Sequence, residues 1–334
     1  MENENTKQEK FISFFKKWSW LFGAVAGLLS ILSLLGTVVT LVPKVDGEKI
    51  KTAIHLWDYF NLTYSMNWSM WITLGLIVIG IALAIASKWK KDLATGASLS
   101  YLVSACLLIL TREFFSNNTI ENYKDTQIGY GSALAIIFVI VGAVFALISD
   151  YSKQEFNVRD MAEDGILIAL AFGLNFVKIP LGATGGSINF QMLPLMLIAL
   201  RHGPVHGLIS GGLIFGLLTC LTDGYGFATY PFDYLIGFGS VAVMGFFSKI
   251  ILPEGQKGYT VKGELFLLLA GVLSTFVRFV GSVTSSMVVY GYEFVPALEY
   301  NALYIPLSGA AALIVIMACY GPLCQINSLF PTRK

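Results

Sequence analysis

GSINFQMLPLMLIALRHGPVHGLISGGLIFGLLTCLTDGYGFATYPFDYLIGFG, residues 186–239, holds two long apolar segments flanked by loops of opposite character. One loop is short and basic, with Arg201, His202 and His206; the other is rich in Gly, Tyr, Phe and Asp. Each apolar segment is too long or too greasy for an ordinary soluble domain. The pattern predicts a membrane protein that holds a small polar ligand in an aromatic pocket near one face of the bilayer.

The rest of the chain extends that reading. Hydrophobic residues make up 55% of the 334 and charged residues 13%, against about a quarter charged in soluble proteins. A hydrocarbon core of about 30 Å needs roughly 20 residues of apolar helix. The apolar runs are continuous rather than alternating, so the expected class is an all-α polytopic membrane protein. Ten spans are expected, at 19–42, 69–87, 96–111, 129–149, 164–180, 190–200, 207–222, 232–250, 264–290 and 298–320. Most Lys and Arg then fall on the side of the N-terminus, among them Lys16, Lys17, Lys88, Lys90, Lys153, Arg159, Arg201, Lys249 and Lys262. The excess predicts a multi-pass protein of the cell membrane with both termini in the cytoplasm.

The charged stretch DYSKQEFNVRDMAED, 150–164, divides the chain. It predicts a four-helix membrane domain over 1–150, a cytoplasmic linker over 151–163 and a six-helix domain over 164–334. All six tryptophans (Trp18, Trp20, Trp57, Trp68, Trp71 and Trp89) precede residue 90, mostly near expected interfaces, where indoles favour the headgroup zone. Residues 1–17 are charged and polar and lead into a run without a clear cleavage site, so no cleavable leader is expected. Asn61, Asn67 and Asn117 each open a glycosylation-type tripeptide, a short pattern that decides nothing.

Several classes are excluded. A net charge of +1, with no basic face, leaves nothing to follow a nucleic acid. Cys106, Cys220, Cys319 and Cys324 lack metal spacing. His202 and His206 flank Pro204 in a turn without a HExxH pattern, so no metal and no cofactor are expected. There is no GxxxxGK[ST], no GxSxG and no carboxylate pair in a span. An enzyme is not expected, and any use of ATP requires another subunit.

Charges inside a membrane are costly and need a reason. Asp233 opens the eighth expected span, after a loop holding Tyr225 and Tyr230 and just before Tyr234. Arg278 lies inside the ninth. Either the two bind ligand groups, or they pair with each other. Arg278, Ser282, Ser286 and Tyr290 follow at i, i+4, i+8 and i+12, a polar stripe that must face protein or a cavity. The last span opens with Glu299, Tyr300, Asn301 and Tyr304. The fifth carries Gly165, Ala169 and Gly173 at four-residue spacing, which lets another helix approach closely.

The blocks GSINFQMLPLMLIALRHGPVHGLISGG, YPFDYLIGFGSVAVMGFF and VRFVGSVTSSMVVYG resemble the thiamine-specific substrate-binding subunits, or S components, of energy-coupling factor (ECF) vitamin importers. The resemblance covers about 164–320. It implies six helices and a ligand site near the outer face, lidded by the loop over 179–189. It implies docking of Gly165, Ala169 and Gly173 on a transmembrane coupling subunit, with two cytoplasmic ATPases driving the cycle. The family's acidic residue before Tyr, usually Glu, matches Asp233-Tyr234, its basic residue matches Arg278, and its Asn matches Asn301. Its His and Trp fall on Ser282 and Tyr290, and the small residue between them falls on Ser286. The lid tryptophan has no counterpart, because residues 164–334 contain no Trp.

The expected function is therefore capture of thiamine or a related heterocyclic vitamin. The binding residues would be Asp233, Tyr234, Arg278, Ser282, Ser286, Tyr290 and Asn301, with Tyr225 or Tyr230. The alternatives are a membrane scaffold that kept the fold and lost the ligand, and a stand-alone secondary transporter.

Overall fold

The continuous apolar runs fold as helices in the computed structural model, which describes residues 2–43, 52–59, 68–90, 92–119, 123–151, 157–181 and 186–332. Six described helical stretches are long and apolar enough to cross a membrane: Ser69–Ala86, Leu93–Thr111, Tyr130–Ser149, Pro204–Asp223, Val261–Val288 and Phe294–Ala318. Lys17–Ser33 and Met192–His202 are shorter apolar helices. The chain forms two compact units, Met1–Gln154 and Glu155–Lys334.

The first unit runs α1 (Glu2–Ser33), β1 (Thr37–Pro43), β2 (Thr52–His55), α2 (Leu56–Tyr59), α3 (Trp68–Ala86), α4 (Leu93–Thr119), β3 (Tyr123–Ile128) and α5 (Tyr130–Tyr151). The strands form an antiparallel sheet in the order β2-β1-β3, with Thr40 opposite Ala53 on one side and Gln127 on the other. Fully buried Tyr101 sits at the centre of the helices, against the backbone of Gly27 and Gly80, and donates to Gly23 O at 3.0 Å.

The second unit begins with α6 (Val158–Asn175), capped by Asn157, whose side chain accepts from Arg159 N. A hairpin of β4 (Lys178–Pro180) and β5 (Ser187–Asn189) leads to α7 (Met192–His202) and α8 (Pro204–Gly207). A π-helical stretch, Leu208–Phe215, continues into α9 (Gly216–Asp223). A second π-helical stretch, Tyr230–Ile236, is followed by α10 (Gly237–Gly239), α11 (Ala242–Phe246) and α12 (Ser248–Ile251). The unit closes with α13 (Val261–Val288), α14 (Phe294–Ala318) and α15 (Tyr320–Leu329). Thr260 caps α13 by accepting from Gly263 N.

Both units bury small polar residues and expose large apolar ones. Ser30, Thr73, Ser104, Thr219 and Ser274 are buried, whereas Leu28, Ile79, Val144, Ile166, Leu265, Phe276 and Ile314 are exposed. Several of the hydroxyls bond back to their own helix, as Thr73 does to Ser69 O at 2.8 Å. In water this arrangement would expose a large apolar surface; in lipid it is the stable one. The protein is a multi-pass membrane protein.

Some expectations need correction. The fold is mostly helical rather than all-α. The first apolar run does not continue as helix to residue 42: after Ser33 the β-branched sequence Thr37-Val38-Val39-Thr40 forms β1. The fifth run ends at Asn175, and Lys178–Pro180 is strand. The eighth is broken into short pieces, where Gly237, Gly239 and Gly245 weaken regular helix. Residues 158–163, expected in the linker, are helical, and α4 runs on past the expected end of the third span at residue 111 to Thr119, taking in Asn117. Asn61 and Asn67 lie outside the described residues.

Candidate functional site

Asp233 lies in the second π-helical stretch, a local form frequent at functional sites. Helix α13 comes close to that stretch because Gly281 has no side chain: a Cβ there would stand 2.6 Å from Phe232 O. The approach brings the hydroxyls of Ser282 and Ser285 beside the Asp233 carboxylate and places the Arg278 guanidinium near it. Ser285 Oγ is buried without a hydrogen-bond partner. Arg278 is only 7% exposed; its guanidinium lies 4.9 Å from the centre of the Phe238 ring, and Nε and Nη1 make no hydrogen bond. Arg278 does not close an ion pair with Asp233 among the described residues, although each lies within the other's field. A carboxylate and a guanidinium thus stand near each other, the guanidinium with two nitrogens unbonded.

Asn301 on α14 is fully buried beside them. Its Nδ2 donates to Ser286 Oγ and Ala297 O, both at 2.8 Å, while its Oδ1 accepts from Tyr304 at 3.0 Å. From Tyr304 a chain of rings runs through Tyr300, at 5.5 Å, and Tyr292, at 6.0 Å, to Tyr290, at 6.5 Å. Gly291 makes the turn between the last two tyrosines, with φ of 69°. Tyr290 therefore lies beyond the end of α13 rather than on its face, and it is 46% exposed. The base of the β4–β5 hairpin rests on α14: Asn189 N donates to Ser308 Oγ at 3.4 Å, and Gly186 abuts the Tyr304 ring. Residues 182–185 of the expected lid lie outside the described residues.

The structure brings Asp233, Arg278, Ser282, Ser286, Asn301 and Tyr290 to one region, with Tyr225, 62% exposed, near Tyr290 and Tyr300. Tyr234 is buried and points its hydroxyl at Asp223 Oδ2, 3.4 Å away, while Asn175 Nδ2 donates to Asp223 Oδ1 at 3.3 Å. Tyr230 is used for packing: it stacks on Phe227 at 5.2 Å and donates to Gly212 O at 3.2 Å. Sequence reasoning missed Ser285, Tyr292 and Asn175. A helical wheel of α13 places Ser285 beside Ser282; nothing local marks the other two.

Gly165, Ala169 and Gly173 share one face of α6, and a Cβ at Gly165 or Gly173 would meet nothing within 4 Å. Gly165 and Ala169 line an apolar groove of about 530 Å³ between α6 and residues 206–218.

A second polar cluster lies at the start of α6 and the α7–α8 turn. Arg201 pairs through Nε and Nη2 with Glu163, the second bond being 2.9 Å. His202 Nδ1 lies 2.5 Å from Asp164 Oδ1, and His206 Nδ1 contacts Asp164 Oδ2. Burial opposes ionisation of Glu163, yet its contacts with His202 and Arg201 and their charges outweigh this and hold its carboxyl at about 2. Burial likewise opposes the charged form of His202, but contacts with Asp164 and Glu163 and their charges raise it to about 9.

Fold and site define a multi-pass helical membrane protein whose C-terminal unit carries an ionic and carboxamide cluster rimmed by tyrosines. That unit belongs to a known family: residues 161–327, half of the chain, match the thiamine transporter protein family, and the chain is a member of it. The thiamine transporter ThiT of Bacillus subtilis is 27% identical over 177 residues, covering 48% of this chain and 86% of that protein. An uncharacterised protein of Pyrococcus woesei is 32% identical over 134 residues, 40% of this chain and 81% of its own length. The solved structure of ThiT from Listeria monocytogenes aligns with 49% of this chain and 93% of its own at 20% identity, with a TM-score of 0.42.

Proposed function

We propose that this chain is the substrate-capture subunit of an ECF-type importer and that it binds thiamine or a closely related heterocyclic vitamin. The observation that carries the reading is the convergence of Asp233, Arg278 and Asn301 beneath the tyrosine chain, in a member of the thiamine transporter family. Asp233 offers a negative charge to a cationic or amino-bearing ring. Tyr290, Tyr292 and Tyr300 offer ring faces for stacking. Ser282, Ser286 and Asn301 offer hydrogen bonds, and Arg278 steadies Asp233 or meets an acceptor on the ligand. Tyr234 and Asp223 form the wall behind the site.

In this reading the chain crosses the membrane ten times with both termini in the cytoplasm, as a four-helix domain joined by a linker to the six-helix capture domain. Its site opens outward, and the uncovered Gly165–Ala169–Gly173 face of α6 meets a transmembrane coupling subunit. Two cytoplasmic ATPases supply the energy. Calorimetric titration of the detergent-purified chain with thiamine and a panel of small vitamins tests the proposal. Micromolar or tighter thiamine binding supports it; binding of another vitamin alone changes the cargo. Binding of none, with retained copurification of coupling subunits, replaces it with the scaffold reading. Uptake by this chain alone, abolished by an ionophore, replaces it with the secondary-transporter reading.

A further inference from the structure

The cluster of Asp164, His202 and His206 has no part in vitamin capture as proposed above, and its chemistry is unusual for the end of a membrane bundle. All three side chains are buried, and one ligand-capable atom from each lies within 4.8 Å of the others. They come from three places in the chain. Asp164 is on α6, His202 ends α7 and His206 is on α8. Gly203, with φ of 93°, makes a turn between α7 and α8 that only glycine adopts easily, and it brings the two imidazoles to 5.3 Å between centres. Neither the turn nor Pro204 prevents the histidines from converging; together they set the geometry.

The charges around the cluster are uneven. The neighbouring carboxylate, Glu163, is neutralised by the two-point contact with Arg201. Asp164 has no Lys or Arg partner among the described residues, and both its oxygens are directed at imidazole nitrogens. A buried carboxylate needs a compensating cation; a protonated imidazole supplies it in the absence of metal, and a metal ion bound by the same three groups takes its place. Two imidazoles and a carboxylate are a donor set that suits zinc, copper, nickel or cobalt rather than magnesium or calcium. Behind the donor set, Glu163 Oε2 lies 3.4 Å from His202 Nε2, the nitrogen left over when Nδ1 binds, and that nitrogen makes no hydrogen bond. Metal-bound histidines commonly have a carboxylate at their free nitrogen. An entry path exists as well, because Asp164 and His206 line the 530 Å³ groove together with Ser210.

We propose that Asp164, His202 and His206 form a binding site for a divalent transition-metal ion of the zinc class. The ion takes one Asp164 oxygen and the two Nδ1 atoms, displacing the protons held between them, and leaves a fourth position facing the groove. It fastens the first turns of α6 to the α7–α8 turn. This fixes the helix that carries Gly165, Ala169 and Gly173.

The test uses the full chain purified with a tag free of histidine and stripped with a chelator. Zn²⁺ and Co²⁺ binding are measured by equilibrium dialysis with elemental analysis, and Co²⁺ by its visible ligand-field bands. The expected result is one equivalent per chain, Co²⁺ displaced by Zn²⁺, and a thermal unfolding midpoint that rises with metal. His206→Gln and Asp164→Asn should each weaken Zn²⁺ binding by at least about tenfold, and Glu163→Gln by less. Should a variant fail to fold, the stripped wild-type titration still decides. No binding tighter than micromolar in that protein leaves only a carboxylate sharing protons with two imidazoles, and the proposal is overturned. It is equally overturned if His206→Gln binds as wild type does, or if alkylation of the four cysteines abolishes binding. Thiamine binding is not part of the readout, so failure here leaves the capture reading untouched.

Discussion

Removing the charge of Asp233 while keeping its shape is the sharpest test of the proposed ligand site. In Asp233→Asn the side chain still fits between the π-helical stretch and α13, because Gly281 sets that distance and is unchanged. What disappears is the anion proposed to face the ligand. A hydrogen bond to a charged group contributes about 1.5–3 kcal/mol, which corresponds to roughly ten- to a hundredfold in Kd. A second effect acts in the same direction. Arg278 has Nε and Nη1 free, and Asp233 acts on it; with the carboxylate gone, the guanidinium repels a cationic ligand unopposed. Thiamine affinity should therefore fall at least about tenfold, measured by calorimetry on detergent-purified protein with unchanged thermal stability. Asp233→Glu, which restores the acid usual in the family, should recover most of the loss. An Asp233→Asn protein that binds thiamine as wild type does would remove this carboxylate from the site and refute the reasoning.

Further expectations concern other parts of the chain. Asn301→Leu strips the hydrogen bonds that hold Ser286 and Tyr304 and should lower both thiamine affinity and the unfolding midpoint. Ala169→Leu, on the open face of α6, should block copurification with a coupling subunit and leave thiamine affinity unchanged. Tyr101→Phe removes the bond to Gly23 O and should cost about 1 kcal/mol of stability without altering vitamin binding. Glu163→Gln leaves the buried Arg201 guanidinium without its counter-ion and should lower the unfolding midpoint. The pH dependence has a definite sign. Folding depresses the Glu163 carboxyl from 4.5 to about 2, so its stabilisation is full above 4.5 and is lost as pH falls toward 2. Acid titration of the unfolding midpoint should show a larger loss in wild type than in Glu163→Gln, in which the depressed Asp164 carboxyl still contributes.

The membrane class was legible because it depends on continuous apolar length, a property of the chain alone. So was much of the candidate cluster: Asp233 and Arg278 stand out as charges in apolar surroundings, and Asn301 follows from the family resemblance. The strands were not legible. Thr37–Pro43 continues the apolar run of α1, and only partner strands about 15 and 85 residues away make it a sheet. Tyr292 was hidden for another reason: its position depends on the left-handed turn at Gly291 after α13 ends. Asp164 was legible as a charge but not as a partner of His202 and His206, 38 and 42 residues further on. The spacing of the histidines invites comparison with helical motifs, whereas their meeting point is a turn.

The division into two compact units, each with its own core, has an optical counterpart. Every tryptophan belongs to the first unit and none to the second, which has only tyrosine as its intrinsic fluorophore. Red-edge excitation, which selects indole, therefore reports directly on residues 1–154 alone. The first unit also holds six tyrosines, Tyr101 among them, so tyrosine emission reports on both units and tryptophan emission on the first alone. Unfolding followed in both channels would show whether the two units melt together or in turn. One tryptophan introduced at Tyr290 would give the second unit a direct signal of its own at the rim of the candidate site.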